Sequence, residues 1–162
     1  LLLEKLPKSN STDWQNIVPN LLKWAEINVS EETQIRAYKQ AENILKKPSF
    51  EFIFAPDTLA EVQFSTIVES VGGIPIVGVI DRLVLSQDSA LIIDFKTNQE
   101  VPSSIDEVPL GVLKQMGAYA ASMQKVFPKK NIELGIIWTH SAELMKIDVN
   151  RAVSSIGSLR MT

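Results

Sequence analysis

The feature that most constrains the fold is a change of hydrophobic period near the middle of the chain. Four segments of strand length, rich in β-branched and aromatic residues, occupy residues 50–54, 59–68, 74–85 and 90–96. Turn-forming residues separate the later segments, first Gly72-Gly73 and then Ser86-Gln87-Asp88-Ser89. The pattern predicts a meander of neighbouring strands.

Helical periods flank this meander. Apolar residues recur at helical spacing from about Asp13 to Ile27, with Pro19 near the beginning of that helix. A second helix is predicted to begin at the N-cap Ser30 and to end before Pro48. Its buried face is predicted to consist of Ile35, Tyr38, Ala41 and Leu45.

A long helix is predicted to follow Pro109 and to run to about Phe127. Its apolar stripe is Leu110, Leu113, Met116, Ala120, Met123 and Phe127. Two more strands are predicted at residues 132–138 and 144–147, and a helical tail from Arg151. The order of elements predicts an α/β fold with a mixed central sheet flanked by helices.

Size and composition bound the possible classes of protein. A length of 162 residues fits a single domain, residues 1–162. The chain has no cysteine, which excludes disulfides and thiolate metal sites and fits a reducing, cytoplasmic compartment. No stretch approaches the roughly 20 apolar residues of a membrane span, so no membrane partner is expected. The chain starts on three leucines without a methionine, which favours a fragment of a longer protein.

Two acidic residues stand at the ends of apolar strands. If the hairpin is centred on the turn Gln87-Asp88, Leu85 lies opposite Ala90, and Asp81 lies opposite Asp94. Opposed residues have Cβ atoms roughly 5 Å apart, so both carboxylates could share one cation. A slip of one residue would instead place Asp81 on the other face.

Lys96 shares a strand face with Asp94, because side chains alternate along a strand. Mg²⁺ or Mn²⁺ suits a site of oxygen ligands, and the Phe95 carbonyl would lie near the same ion. Lys96 could then orient an attacking water or offset charge on a phosphate. The competing interpretation is that Asp94 and Lys96 form a surface ion pair on an edge strand.

The ordered set of motifs resembles a known nuclease family. Gly78-Val79-Ile80-Asp81, then Asp94-Phe95-Lys96-Thr97, then Gln115 and Tyr119 on a helix are similar to the RecB-type PD-(D/E)xK nucleases. Leu91-Ile92-Ile93 and Trp138-Thr139 make the chain most similar to the C-terminal nuclease domains of AddA-type helicase–nucleases. The resemblance implies a restriction-endonuclease-like core.

The resemblance also implies roles for individual residues. Asp81 and Asp94 would be metal ligands, Lys96 the catalytic lysine, and Gln115 and Tyr119 residues that contact DNA or support the site. The alternative for these last two is an ordinary solvated helix face with a half-buried tyrosine. Glu61 resembles an acid that family members carry on the preceding strand, although an exposed strand residue is as good an interpretation.

One family feature has no counterpart in this chain. The resemblance places a further metal ligand, a histidine, just before Leu1. The only histidine, His140, does not match that position and is expected to be a surface or capping residue.

Two functions remain as hypotheses. The first is a Mg²⁺- or Mn²⁺-dependent DNA exonuclease domain. By resemblance, its partners would be upstream helicase domains of the same polypeptide, an AddB-like subunit and a DNA strand fed from a duplex end, in double-strand break repair and recombination. The second is a catalytically silent nuclease fold that binds DNA or acts as a scaffold. The net charge of −3 counts mildly against a free-standing DNA binder, although a bound cation would offset it.

Overall fold

The computed structural model describes residues 1–69 and 73–157. The chain forms two compact units, Leu1–Pro56 and Asp57–Thr162. Within the described ranges, no helix combines the length and the apolarity that crossing a lipid bilayer requires.

The first unit is helical. It contains the α-helices α1 (Leu2–Lys5), α2 (Trp14–Trp24) and α3 (Glu31–Leu45) and the 3₁₀ helices Leu6–Lys8, Ser11–Asp13 and Pro48–Ile53. The predicted start of α3 is confirmed, because the Ser30 side chain accepts a hydrogen bond from the Thr33 amide. The predicted buried face is wrong at Ile35, which is 48% exposed, since the buried residues of α3 are Ala41 and Ile44.

The strand predicted at residues 50–54 is wrong. These residues belong to the 3₁₀ helix Pro48–Ile53. Pro48 stands in its first turn, where the fixed φ of proline favours a helical start. Phe50 and Ile53 are both buried, and their spacing of three matches a 3₁₀ turn rather than the alternation of a strand. Pro19, expected near the beginning of its helix, lies inside α2.

The second unit is a five-stranded mixed sheet with two helices. Its elements are β1 (Leu59–Val68), β2 (Ile74–Leu85), β3 (Ser89–Lys96), α4 (Leu110–Val126), β4 (Asn131–Trp138), β5 (Glu143–Ile147) and α5 (Val149–Gly157). The strand order is β1-β2-β3-β4-β5, antiparallel except for the parallel pair β3–β4, which α4 connects. The predicted α/β fold with a mixed sheet flanked by helices is confirmed.

The core of this unit lies between the sheet and α4. Its fully buried members include Ile80, Leu83, Ile92, Met116, Ala120, Ile136 and Ala152. Leu110 was predicted to belong to it but is 55% exposed, because it is the first residue of α4. Helix α5 crosses α4 at Gly117, where an added Cβ would lie 2.1 Å from the Ala152 carbonyl oxygen. Only glycine permits so close an approach of the two backbones.

The register of the β2–β3 hairpin is the predicted one over its ladder, but the predicted pair of Asp81 with Asp94 lies beyond the end of that ladder. Leu85 pairs with Ala90, and the ladder ends at the pair of Arg82 with Ile93. The turn closes through a hydrogen bond from the Ser86 amide to the Ser89 carbonyl. Of the other predicted turn, Gly73 has a φ of +69°, whereas Gly72 lies outside the described residues.

An irregularity interrupts β1 and β2 at one position. Ile80 and Leu83 both belong to the core under α4 although they are three residues apart, so strict alternation fails between them. Opposite this point, Glu61 has a φ of +53°, a left-handed conformation that is costly for a residue with a Cβ. Irregularities of this kind change the direction in which side chains point, and this one changes the direction of those around Asp81.

Candidate active site

Asp81 joins β2 to β3 where their ladder has ended. Its Oδ2 accepts a hydrogen bond of 2.7 Å from the Phe95 amide. The Asp81 carboxylate therefore accepts the Phe95 amide in place of the backbone carbonyl of β2 that would come next in the ladder. The arrangement holds Asp81 beside the residue that follows Asp94.

Asp94 is a buried carboxylate in the middle strand of the sheet, with 2% of its surface exposed. Its Oδ1 accepts a hydrogen bond of 3.1 Å from Gln115 Nε2. Its Oδ2 lies 2.7 Å from Lys96 Nζ in an ion pair. The interpretation as a surface ion pair on an edge strand is therefore wrong.

Burial raises the pKa of the Asp94 carboxyl above its ordinary value. The contact with Lys96 opposes this shift, and the negative charge of Asp81 adds to it. A buried carboxylate beside a second acid is an environment that an added positive charge would stabilise.

Gln115 on α4 connects the acid, the lysine and a tyrosine. Its Oε1 accepts a hydrogen bond of 2.7 Å from Lys96 Nζ. Its Nε2 donates to Asp94 and also, at 2.7 Å, to the Tyr119 hydroxyl one helical turn later. The side-chain amide thus fixes the position of Lys96 relative to Asp94.

Tyr119 anchors this network to the backbone of β2. Its hydroxyl donates a hydrogen bond of 2.7 Å to the Val79 carbonyl. Burial raises the pKa of the hydroxyl, the hydrogen bond with Gln115 lowers it, and the charges of Asp94, Asp81 and Glu61 raise it further. Since the net shift is upward, Tyr119 stays a donor at neutral pH.

The ring of Tyr119 fits over a glycine. Gly78 of β2 lies beneath it, and Phe64 of β1 packs against it edge to face with ring centroids 5.7 Å apart. An added Cβ at Gly78 would lie 2.9 Å from the Phe64 ring and 3.2 Å from Tyr119 Cε1. Gly78 therefore makes room for the aromatic pair that supports Gln115.

Gly78→Ala is expected to destabilise the protein by about 1–3 kcal/mol, because both rings must move. Displacing Tyr119 should also lower any activity that depends on Gln115. Urea denaturation measures the first effect. Gly111→Ala is the matched control, since nothing lies within 4 Å of its added Cβ. An unchanged denaturation midpoint for Gly78→Ala would contradict this account of the packing.

Comparison with known proteins identifies the family. Residues 5–153 match the family model of the PD-(D/E)XK nuclease superfamily. The chain belongs to the PD-(D/E)XK nuclease superfamily. No curated protein matches the chain. The crystal structure of a protein named SSO0001 is similar at 15% identity and a TM-score of 0.41, with 91% of this chain and 87% of that chain covered.

Members of this superfamily are generally nucleases and typically use divalent metal ions. Among the described residues, no three His, Cys, Asp or Glu side chains lie together as a metal cluster. The residues present nevertheless fit Mg²⁺, which proteins often hold through one or two carboxylates while water and substrate phosphate complete the shell. Asp81 and the buried Asp94, whose Oδ2 is paired with Lys96, are two such carboxylates.

Phe95, Glu61 and His140 differ in how they relate to Asp81, Asp94 and Lys96. Phe95 stands between Asp94 and Lys96, with its amide bound to Asp81, and the role of its carbonyl stays a prediction. Glu61 lies on β1 at the irregularity and contributes its charge to the surroundings of Tyr119. His140 is exposed in the turn after β4, apart from the network.

Sequence reasoning missed the support beneath the site. It did not predict the hydrogen bond from Tyr119 to the Val79 carbonyl, or the packing of Phe64 over Gly78. A glycine inside a strand often marks the close approach of another group, so Gly78 three residues before Asp81 was the available signal.

Proposed function

We propose that this protein is a Mg²⁺- or Mn²⁺-dependent DNA nuclease of the RecB type. Asp81, Asp94 and Lys96 would form the active site that hydrolyses the phosphodiester bonds. The observation that carries the proposal is the buried Asp94 carboxylate, which lies beside Asp81 and 2.7 Å from Lys96 Nζ. Burying the Asp94 carboxylate beside a second acid is costly unless something offsets its charge. A cation that also binds the substrate phosphate would do so.

Each residue has a specific role in this proposal. Asp81 and Asp94, with the Phe95 carbonyl, would hold the cation. The bound ion would lower the pKa of a water and offset charge on the phosphate. Lys96 would orient the attacking water or contact the phosphate through Nζ, in the position that Gln115 and Tyr119 fix. Glu61 would act on the site through its charge.

The alternative is a silent nuclease fold that binds DNA or serves as a scaffold. A silent copy has no need to keep a buried acid and a lysine in contact, because an apolar pair would cost less to bury. Asp94 and Lys96 are both present and joined through Gln115, which supports the active form.

The resemblance to AddA-type subunits supports a wider context. We place the domain at the C-terminal end of a cytoplasmic helicase–nuclease that acts in double-strand break repair and recombination. Its partners would be helicase domains of the same polypeptide, an AddB-like subunit and a single DNA strand fed from a duplex end. In that setting the neighbouring parts would supply most of the contacts to the DNA backbone.

The test is cleavage of end-labelled linear single-stranded DNA in Mg²⁺ or Mn²⁺, with EDTA as the blank. It should be run on this chain and on a version extended at the amino end by the helix that the resemblance implies. Cleavage that EDTA abolishes would support the nuclease. Absence of cleavage by both versions, with measurable Mn²⁺ binding, would favour the silent module.

Lys96→Ala should lower cleavage by about 100-fold or more, because it removes a charge placed where the reaction develops negative charge. Its affinity for Mn²⁺, measured by calorimetry, should stay within a few-fold of the wild-type value. Lys39→Ala, at an exposed position of α3, is the matched control. If Lys96→Ala lost metal binding as completely as cleavage, the lysine would be a structural residue instead.

A further inference from the structure

Both oxygens of the Asp94 carboxylate are covered by other side chains. Gln115 Nε2 donates to Oδ1 at 3.1 Å, and Lys96 Nζ lies 2.7 Å from Oδ2. Asp94 is 2% exposed, and Oδ2 itself is buried. A cation that arrives from solvent can therefore bind this carboxylate only after one of the two covering side chains has moved.

Gln115 is the covering side chain that is held in place. Its Nε2 also donates a hydrogen bond of 2.7 Å to the Tyr119 hydroxyl, and Tyr119 is only 6% exposed. That hydroxyl in turn donates to the Val79 carbonyl of β2. Moving Gln115 would break this buried chain of hydrogen bonds, and leaving buried polar groups unpaired is costly. Gln115 is therefore expected to stay where it is.

Lys96 is the covering side chain that can move. Its side chain is 19% exposed, and its ammonium is carried on a flexible four-carbon stem. An ammonium and a divalent cation on the same carboxylate also repel each other, because their charges have the same sign. Lys96 Nζ has a second partner that does not involve Asp94, since it donates a hydrogen bond of 2.7 Å to Gln115 Oε1. Lys96 can therefore leave Oδ2 and keep its contact with Gln115.

We propose that Lys96 takes the place of the cation on Asp94 in the metal-free protein and moves off Oδ2 when a divalent cation binds. The inference rests on the cation site of the proposed function. With Asp81 and Asp94 ionised, the two carboxylates and the ammonium carry a net charge of −1, which repels a phosphate. A divalent cation reverses the sign of this charge and frees Lys96 Nζ. The site therefore accepts a DNA phosphate only after the cation has bound.

The exchange is tested by acylating lysine side chains with a trace of an N-hydroxysuccinimide ester of acetic acid, with and without Mg²⁺. Mass spectrometry measures the modification of Lys96, and no DNA is present, so the result does not depend on cleavage. Mg²⁺ should raise the reactivity of Lys96 at least about threefold, because an amine beside a cation and without a carboxylate partner is the better nucleophile. Lys39, exposed on α3, should react equally in both conditions.

The matched variant is Asp81→Asn. Its amide oxygen can still accept from the Phe95 amide, and the contact of Lys96 with Asp94 remains, but the cation loses one of its two carboxylates. Mg²⁺ should leave the reactivity of Lys96 in this variant unchanged.

Three results would count against the exchange. Unchanged or lower reactivity of wild-type Lys96, with Mg²⁺ binding seen by calorimetry, would overturn the exchange and leave the nuclease standing. An equal rise in the Asp81→Asn variant would also overturn it, because the effect would not arise at this site. No Mg²⁺ binding by calorimetry would overturn both proposals, whereas the exchange without DNA cleavage would overturn the nuclease alone.

Discussion

Replacing Asp94 by asparagine is expected to abolish metal-dependent cleavage and at the same time to stabilise the fold. The amide cannot supply the negative charge that a divalent cation needs, so cleavage should fall by at least about 100-fold. The amide oxygen of the Asp94→Asn variant would still accept the hydrogen bond that Gln115 donates to Oδ1, so the network should stay in place. Asp88→Asn, in the exposed β2–β3 turn, controls for the loss of one charge.

The stabilisation should depend on pH with a defined sign. Burial raises the pKa of Asp94 in the folded state, so the folded chain holds this proton to a higher pH than the unfolded chain does. The contribution of Asp94 to the free energy of unfolding therefore falls as pH rises from the ordinary aspartate pKa through the raised one. Asparagine does not titrate, so the free energy of unfolding of the Asp94→Asn variant should lack that fall.

Urea denaturation of both proteins at a series of pH values measures this difference. The stability advantage of the Asp94→Asn variant should grow as pH increases through the window and then level off. Parallel curves for the two proteins would show that Asp94 has the same pKa in the folded and unfolded states. Full cleavage by the variant would end the assignment of Asp94 to the metal site.

Gly117→Val is expected to cost about 3 kcal/mol of stability, the upper end of the usual cost of overpacking. The new Cβ would lie 2.1 Å from the Ala152 carbonyl oxygen and 2.6 Å from its carbon, so the backbone of α5 would have to move off α4. The measurement is the free energy of unfolding in urea. Gly111→Val, on the open first turn of the same helix, is the control. An unchanged midpoint for Gly117→Val would mean that α5 does not contribute to the cooperative unit.

Local signals predicted much of the fold. A four-residue polar turn fixed the register of β2 on β3, because a hairpin register follows from its turn and a slip would turn every side chain over. Ser30 and Pro109 marked helix starts: the Ser30 side chain caps α3, and Pro109 is the N-cap residue of α4. The same register predicted that Asp81 lies opposite Asp94, but the ladder ends at Arg82 and Ile93, and Asp81 meets β3 through its side chain at the Phe95 amide.

What could not be predicted depends on contacts between distant parts of the chain. A solvated helix face was the alternative for Gln115 and Tyr119, yet Tyr119 is only 6% exposed, and Ser122 on the same helix is 0% exposed. Phe64 covers the tyrosine, and Thr66 donates a hydrogen bond to the Ser122 hydroxyl, both from β1 more than 50 residues earlier. Helical spacing gives the faces of α4 but not the strand that covers each of them.

The connectivity of the sheet implies an order in which the site is assembled during folding. Asp81 and Asp94 belong to one hairpin with a short turn, and closing so small a loop costs little chain entropy. Gln115 and Trp138 take their places only after the long crossover through α4 has brought β4 alongside β3. We therefore expect the two acids to come together early, before α4 delivers the amide that hydrogen-bonds both Asp94 and Lys96. A nascent chain that has emerged only as far as β3 would hold the carboxylate pair but not the lysine in its working position.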